Sequence, residues 1–149
     1  MRILLVVDLQ KAFCKDKAFA DKIISLSNKF DKVVATKFVN SDDSLYEKWL
    51  NWKCADTELV EGFHPDYVLE KTGYGINFVP LEGKEVYLAG LETDACVLKL
   101  ALDLWDAGAR PIVLTDYVAS STEEYHKAGL FLLEHLIGKE NLFSGEPKL

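Results

Sequence analysis

The chain has 149 residues, 24 of them acidic and 17 basic, for a formal net charge of -7; 49% are hydrophobic and 28% charged. Those values fit one globular domain over residues 1–149 and exclude fibrous, collagen-like and disordered chains. The acidic excess argues against a nucleic-acid or anionic-membrane partner, and no apolar run nears the ~20 residues of a membrane span.

Ile3 to Val7 is a continuous apolar run, as expected of a strand buried on both faces. It begins like a secretory signal, but Asp8 ends it early and no small-residue cleavage site follows. Ala18 to Phe30 carries apolar residues at helical spacing. Lys32 to Val39 predicts a second strand, Ser44 to Trp52 a short amphipathic helix, and Tyr67 to Leu69 a third strand, short and expected to be buried. Glu85 to Ala89 predicts a fourth strand closed by Gly90. Asp94 to Ala107 has the clearest helical stripe, with Asp94 or Thr93 as candidate N-cap and Gly108 where a C-terminal cap belongs. Pro111 to Leu114 predicts a fifth strand, Ser121 to Ile137 a long helix ending at Gly138, and Asn141 to Phe143 a sixth strand.

Such alternation implies right-handed crossovers and a three-layer α/β/α architecture around a doubly wound, mostly parallel, six-stranded sheet. Open sheets of this kind bind ligands beyond the carboxyl ends of their strands. Polar residues just after strands are therefore the site candidates.

Three residues pass that test. Asp8 follows the first strand; in isolation a loop or cap aspartate is an equal reading. Lys71 follows the third, where the ordinary fate of a lysine is solvation, yet a buried strand would bring it out beside Asp8. Cys96 lies in Gly90-Leu91-Glu92-Thr93-Asp94-Ala95-Cys96-Val97, a strand-turn-helix junction. A buried structural thiol is the bland alternative. A first-turn thiol, however, faces free N–H groups and the helix dipole, which lower its pKa and favour thiolate. Cys14 and Cys54 lack this setting and read as packing residues. An odd count of three cysteines at wide spacing fits neither a disulfide framework nor a zinc motif, and suits a reducing cytoplasm.

Three segments together resemble the isochorismatase-like cysteine hydrolases, which include nicotinamidases and N-carbamoylsarcosine amidohydrolase. Asp8-Leu9-Gln10-Lys11-Ala12-Phe13 resembles the family's D-x-Q-x-x-F opening. Lys71-Thr72-Gly73-Tyr74-Gly75 resembles its K-x-x-[YF]-[SG] segment, and Gly90 to Val97 its G-x-x-T-D-x-C-V elbow. Thr115-Asp116 with Ala119-Ser120 resembles the segment after the fifth strand. The resemblance implies strand order 3-2-1-4-5-6, Cys96 as nucleophile, Asp8 as general base and Lys71 as their electrostatic partner. It also implies a cis peptide between Leu91 and Glu92, and an oxyanion hole from the N–H groups of Glu92 and Cys96. The implied reaction is hydrolysis of a C–N amide or carbamoyl bond of a small molecule through a thioester.

Two features depart from the family pattern. Metal-dependent nicotinamidases carry an Asp and several His after the second strand. Here that stretch is Asn40-Ser41-Asp42-Asp43-Ser44, with no histidine before His64. Asp42 and Asp43 read as a turn and a helix N-cap, so no metal and no other cofactor is expected. The chain is also short for the family, which points to an open pocket or one completed by a second subunit. Candidate pocket residues are Gln10, Phe13, Phe38, Tyr74 and Ile76, with Trp49 and Trp52 as further candidate walls; His126 and His135 lie in the last helix, away from the expected site. Large apolar residues such as Trp49, Trp52, Phe131 and Leu132, more than one small domain is expected to bury, favour a homo-oligomer, a dimer or larger. Two other readings compete: a catalytically silent binding or scaffold protein, and a nucleotide binder. The latter finds no glycine-rich phosphate loop after the first strand.

Overall fold

The computed structural model describes residues 1–77 and 83–149. Six strands form one sheet in the order β3-β2-β1-β4-β5-β6, and every ladder is parallel. They are β1 (Ile3–Val7), β2 (Lys32–Phe38), β3 (Tyr67–Lys71), β4 (Glu85–Leu91), β5 (Arg110–Ala119) and β6 (Leu142–Phe143). The helices are α1 (Lys17–Ser27), α2 (Leu45–Leu50), α3 (Leu98–Asp106) and α4 (Glu123–Ile137). This is the predicted three-layer architecture and the predicted order.

The strand period of two explains the two cores. Leu4 and Val6 pack with Ile23 and Leu26 of α1 on one face. Leu5 and Val7 pack with Leu100 and Leu104 of α3 and with Leu133 and Ile137 of α4 on the other. A central strand covered on both sides has no polar face, which is why β1 reads as an unbroken apolar run.

Several expectations need correction. β3 lies at the edge of the sheet, and Tyr67, Val68 and Glu70 are exposed; Lys71 is its one buried residue. β4 does not stop at Gly90 but continues to Leu91. β5 runs five residues past Leu114, and its register against β4 jumps from Leu88↔Val113 to Gly90↔Val118. The bulge between those pairs holds Thr115 and Asp116, whose polar side chains disguised the strand. Thr115-Asp116 and Ala119 therefore belong to β5 rather than to the segment after it.

The predicted Asp94–Ala107 helix is two pieces. Thr93–Val97 forms a π-helical turn in which the Val97 N–H donates to Glu92 O across five residues at 3.1 Å, and regular α-helix begins at Leu98. Neither Thr93 nor Asp94 caps it, because both side chains are drawn sideways. Thr93 Oγ1 bonds His126 Nδ1 on α4 at 2.7 Å, and Asp94 Oδ1 accepts from Ser120 Oγ at 2.7 Å. Insertions of this kind favour functional sites. Ser44, not Asp43, caps α2, accepting from the Tyr46 N–H at 3.2 Å; Asp43 sits in the preceding turn at φ 56°.

Gly90 permits β4 to press against β1. Its φ is 117°, and a Cβ there would run into the Val7 carbonyl oxygen and amide nitrogen. Gly90→Ala is expected to destabilise the protein by at least ~2 kcal/mol, since both backbone strain and overlap with main chain are imposed. Urea unfolding followed by circular dichroism measures it, and a midpoint equal to wild type would refute the close approach.

Candidate active site

The three strand ends singled out by sequence meet at one point. Asp8 stands one residue beyond β1 at φ 47°, a left-handed conformation that aspartate tolerates better than most residues. Thr36 of β2 fixes it from both sides. The Asp8 N–H donates to Thr36 Oγ1 at 3.1 Å, and that hydroxyl donates to Asp8 Oδ1 at 2.7 Å. The other carboxylate oxygen, Oδ2, pairs with Lys71 Nζ at 2.9 Å. Both side chains are buried, at 1% exposure for Lys71 and 3% for Asp8.

The Lys71 ammonium makes two further contacts. It donates to Gly73 O at 2.9 Å and to Cys96 Sγ at 3.2 Å, and it lies 5.3 Å from the Phe38 ring centroid. Three N–H donors therefore meet three acceptors, the condition under which a buried ammonium is tolerable. Cys96 lies in the π-helical turn after β4, and the Leu91–Glu92 peptide just before it is cis.

The surroundings of the sulfur oppose the thiolate that the helix terminus would favour. Burial pushes the Cys96 thiol up to about 12, and the Asp8 carboxylate pushes the same way. Lys71 pulls it down without prevailing, because the ammonium that faces Sγ is also bound to Asp8. Burial and the adjacent carboxylate thus outweigh the helix terminus.

Asp8 and Cys96 open onto a cavity of about 230 Å³. Its walls are aromatic. Phe13 stacks on Trp52 at 5.7 Å, Phe38 contacts Trp52 and Tyr46, and Tyr46 contacts Tyr74 at 5.1 Å. Burial pushes the Tyr46 phenol up, so it remains a neutral hydroxyl. Leu50, Leu91, Glu92 and Ala95 complete the lining. Burial likewise raises the Glu92 carboxyl above its usual range, with Asp94 adding to the effect.

Phe13, Phe38, Tyr74 and Trp52 thus lie where the sequence reading put them, but Gln10, Ile76 and Trp49 do not line the cavity. Gln10 is fully buried and acts as a clamp. Its Nε2 donates to Phe38 O and Thr57 O, and its Oε1 accepts from the Phe38 N–H at 2.7 Å. Ile76 turns toward α3, where its N–H donates to the Asp103 carboxylate at 2.9 Å. Trp49 is exposed on the outside of α2. Tyr46 and Leu50 were missed, although their spacing of four residues after the Ser44 cap was the signal that both lie on one face of α2. Thr36 and Gly73 were missed because nothing in a lone Thr or Gly marks its partner. His126, set aside as distant, bonds directly to Thr93 of the elbow.

The donor set does not suit the metal that some nicotinamidases carry. Asn40 is engaged locally, with Oδ1 on the Cys54 N–H at 2.7 Å and Nδ2 on Ser44 Oγ at 3.1 Å. Among the described residues no three His, Cys, Asp or Glu side chains converge to hold an ion.

A sequence profile of the Isochorismatase domain matches residues 2–139. No curated protein matches the sequence. Solved structures match in fold. PnC1 from L. infantum, determined in complex with nicotinate, has a TM-score of 0.75 at 20% identity, covering 97% of this chain and 96% of its own. The nicotinamidase/pyrazinamidase PncA of Bacillus subtilis has a TM-score of 0.73 at 22% identity, covering 98% and 100%. N-carbamoylsarcosine amidase from Thermoplasma acidophilum has a TM-score of 0.72 at 22% identity, covering 100% and 99%. The structures show a shared fold, and the profile that runs through nearly the whole sequence establishes that the chain belongs to the isochorismatase family.

Proposed function

We propose that the protein is a cysteine amidohydrolase that cleaves the C–N bond of a small amide or carbamoyl compound without a metal. The supporting observation is the ammonium of Lys71, 2.9 Å from the Asp8 carboxylate and 3.2 Å from the Cys96 sulfur, the two groups that line an apolar cavity. A cavity of about 230 Å³ suits a compact substrate, since drug-sized ligands occupy roughly 300 Å³ or more.

In the reaction, Cys96 Sγ attacks the substrate carbonyl carbon as its proton passes to Asp8. Lys71 holds the sulfur's developing charge and keeps Asp8 oriented. The carbonyl oxygen becomes an oxyanion held by the N–H groups of Glu92 and Cys96, each such donor typically worth ~3–4 kcal/mol. Collapse breaks the C–N bond, and Asp8 returns the proton to the departing amine. Asp8 then takes a proton from water, whose hydroxide attacks the thioester; the C–S bond breaks, the acid leaves, and Asp8 returns the proton to the Cys96 sulfur. Apolar rings around the site exclude bulk water and strengthen each of these interactions.

A screen of small carboxamides and carbamoyl compounds for ammonia or amine release is the primary test. Failure of the whole set, with binding retained, would instead support a silent binding protein. On an active substrate, Cys96→Ala is expected to lower turnover on the order of 10⁴-fold or more without unfolding the protein, whereas Cys14→Ala and Cys54→Ala retain activity. Residual hydrolysis near wild type in Cys96→Ala would remove the nucleophile assignment. EDTA should leave the rate unchanged; loss that zinc, iron or manganese restores would overturn the metal-free reading.

Lys71→Met tests the ammonium separately. Without it the thiol loses the one group that lowers its pKa, so iodoacetamide labelling of Cys96 at a fixed alkaline pH should slow at least ~10-fold. Breaking a buried ion pair typically costs ~3–5 kcal/mol, so labelling is run well below the variant's melting temperature. An unchanged rate–pH profile would mean that Lys71 does not act on the sulfur.

A further inference from the structure

We infer that Asp103 of α3 is a positioning residue for the active site, holding the turn after β3 where its Gly73 carbonyl bonds the Lys71 ammonium and its Tyr74 ring walls the cavity, an inference that rests on Lys71 acting on the Cys96 sulfur as proposed above. β3 is an edge strand, paired with β2 alone. Past Lys71, two hydrogen bonds join residues 72–77 to other described residues. Gly73 O accepts from Lys71 Nζ at 2.9 Å, and the Ile76 N–H donates to Asp103 Oδ2 at 2.9 Å. The first runs to the end of the same strand, so it cannot tie the turn to anything outside β3. The second crosses to another element. The Ile76 side chain packs against the core on that face, and the Tyr74 ring meets that of Tyr46; such apolar contacts are far less directional than a hydrogen bond to a carboxylate.

Asp103 is itself oriented. Its Oδ1 pairs with Lys99, one turn earlier on α3, and its side chain is 14% exposed. α3 buries Leu100, Ala101 and Leu104, and it follows directly on the π-helical turn that carries Cys96. The segment after β3 and the segment after β4 are thus joined at two points, Lys71 to Cys96 and Ile76 to Asp103. Gly75 lies at the second joint, where a Cβ would run into the Asp103 carboxylate and the Lys99 side chain. The bare backbone lets the neighbouring amide reach its acceptor. If this joint opens, the turn can leave α3 and draw Gly73 O away from Lys71. The ammonium then lacks one of its three acceptors and is held less firmly on the sulfur, whose ionised form it favours.

Iodoacetamide labelling of Cys96, read on its peptide by mass spectrometry across a range of pH, tests the joint without a substrate. D103A is expected to slow labelling about threefold at a fixed alkaline pH, the effect of one ordinary hydrogen bond, and to displace the rate–pH profile toward that of K71M. D103N keeps an oxygen for the Ile76 N–H and should keep the wild-type profile. K99A removes only the ion pair and should do the same. G75A places a methyl group where the carboxylate lies, so it should displace the profile with Asp103 present, and it reads the same joint where D103A fails to fold. The double variant D103A/G75A should be no slower than D103A, since the obstruction is gone. Hydrogen exchange at the Ile76 amide should quicken in D103A and not in D103N. A lowered melting temperature with an undisplaced profile in D103A would make Asp103 a structural residue only and overturn the inference, as would D103N labelling as slowly as D103A. Wild-type profiles in both D103A and K71M would fault the reading of Lys71 itself; a wild-type profile in D103A with a displaced one in K71M would fault the role of Asp103 alone.

Discussion

A buried ammonium needs three acceptors, and this requirement organises the sheet's carboxyl edge. Lys71 meets it with one oxygen of Asp8, the carbonyl of Gly73 and the sulfur of Cys96. Those groups hang from β1, from the turn after β3 and from the junction after β4. The order with β1 between β2 and β4 brings them within reach of one nitrogen. Leaving any of the three out would strand a charge in a region where it cannot be hydrated. The ammonium is therefore a fold constraint and a chemical group at once. Asp8 is held by the same logic, with Thr36 on one oxygen and Lys71 on the other.

What the sequence made legible follows from how local each signal is. The apolar run of β1 and the acid that ends it are adjacent, so Asp8 could be placed by inspection. Cys96 was placed by the glycine-bearing junction before its helix. Lys71 was reached through a wrong step: β3 is not buried, and the lysine is internal only because it ends an edge strand that β2 pairs as far as Phe38. Gln10 was misread because a polar residue after a strand can serve either a ligand or the backbone, and here it bonds the main chain of Phe38 and Thr57. A helix terminus is visible in sequence, whereas the burial that pushes the Cys96 thiol up, and the Asp8 carboxylate that adds to it from 88 residues away in the chain, are not. Tyr46 and Leu50 had a helical signal, but which way α2 faces depends on rings contributed by Phe13 and Phe38.

The elbow is braced from behind as well as from Lys71. Thr93 and Asp94 are tied to His126 and Ser120, and Gly129 of α4 lies so close that a Cβ would sit 2.8 Å from the Asp94 nitrogen. The inner face of α4 thus sets the position of the turn that carries Cys96.

The cavity's two sides differ in how they are built. The side carrying Asp8 and Cys96 is bound into the central strands by charged and main-chain hydrogen bonds. The opposite side is a ring of apolar side chains from several elements, to which α2, a helix of six residues held by the Ser44 cap and by the ring contacts of Tyr46, contributes Tyr46 and Leu50. Residues of α2 make no hydrogen bond to Asp8, Lys71 or Cys96 among the described contacts. Exchanging Tyr46 or Leu50 therefore reshapes the chamber while leaving the hydrogen bonds of Asp8, Lys71 and Cys96 in place. The shape of the chamber and the polar corner at its base can thus vary independently of one another.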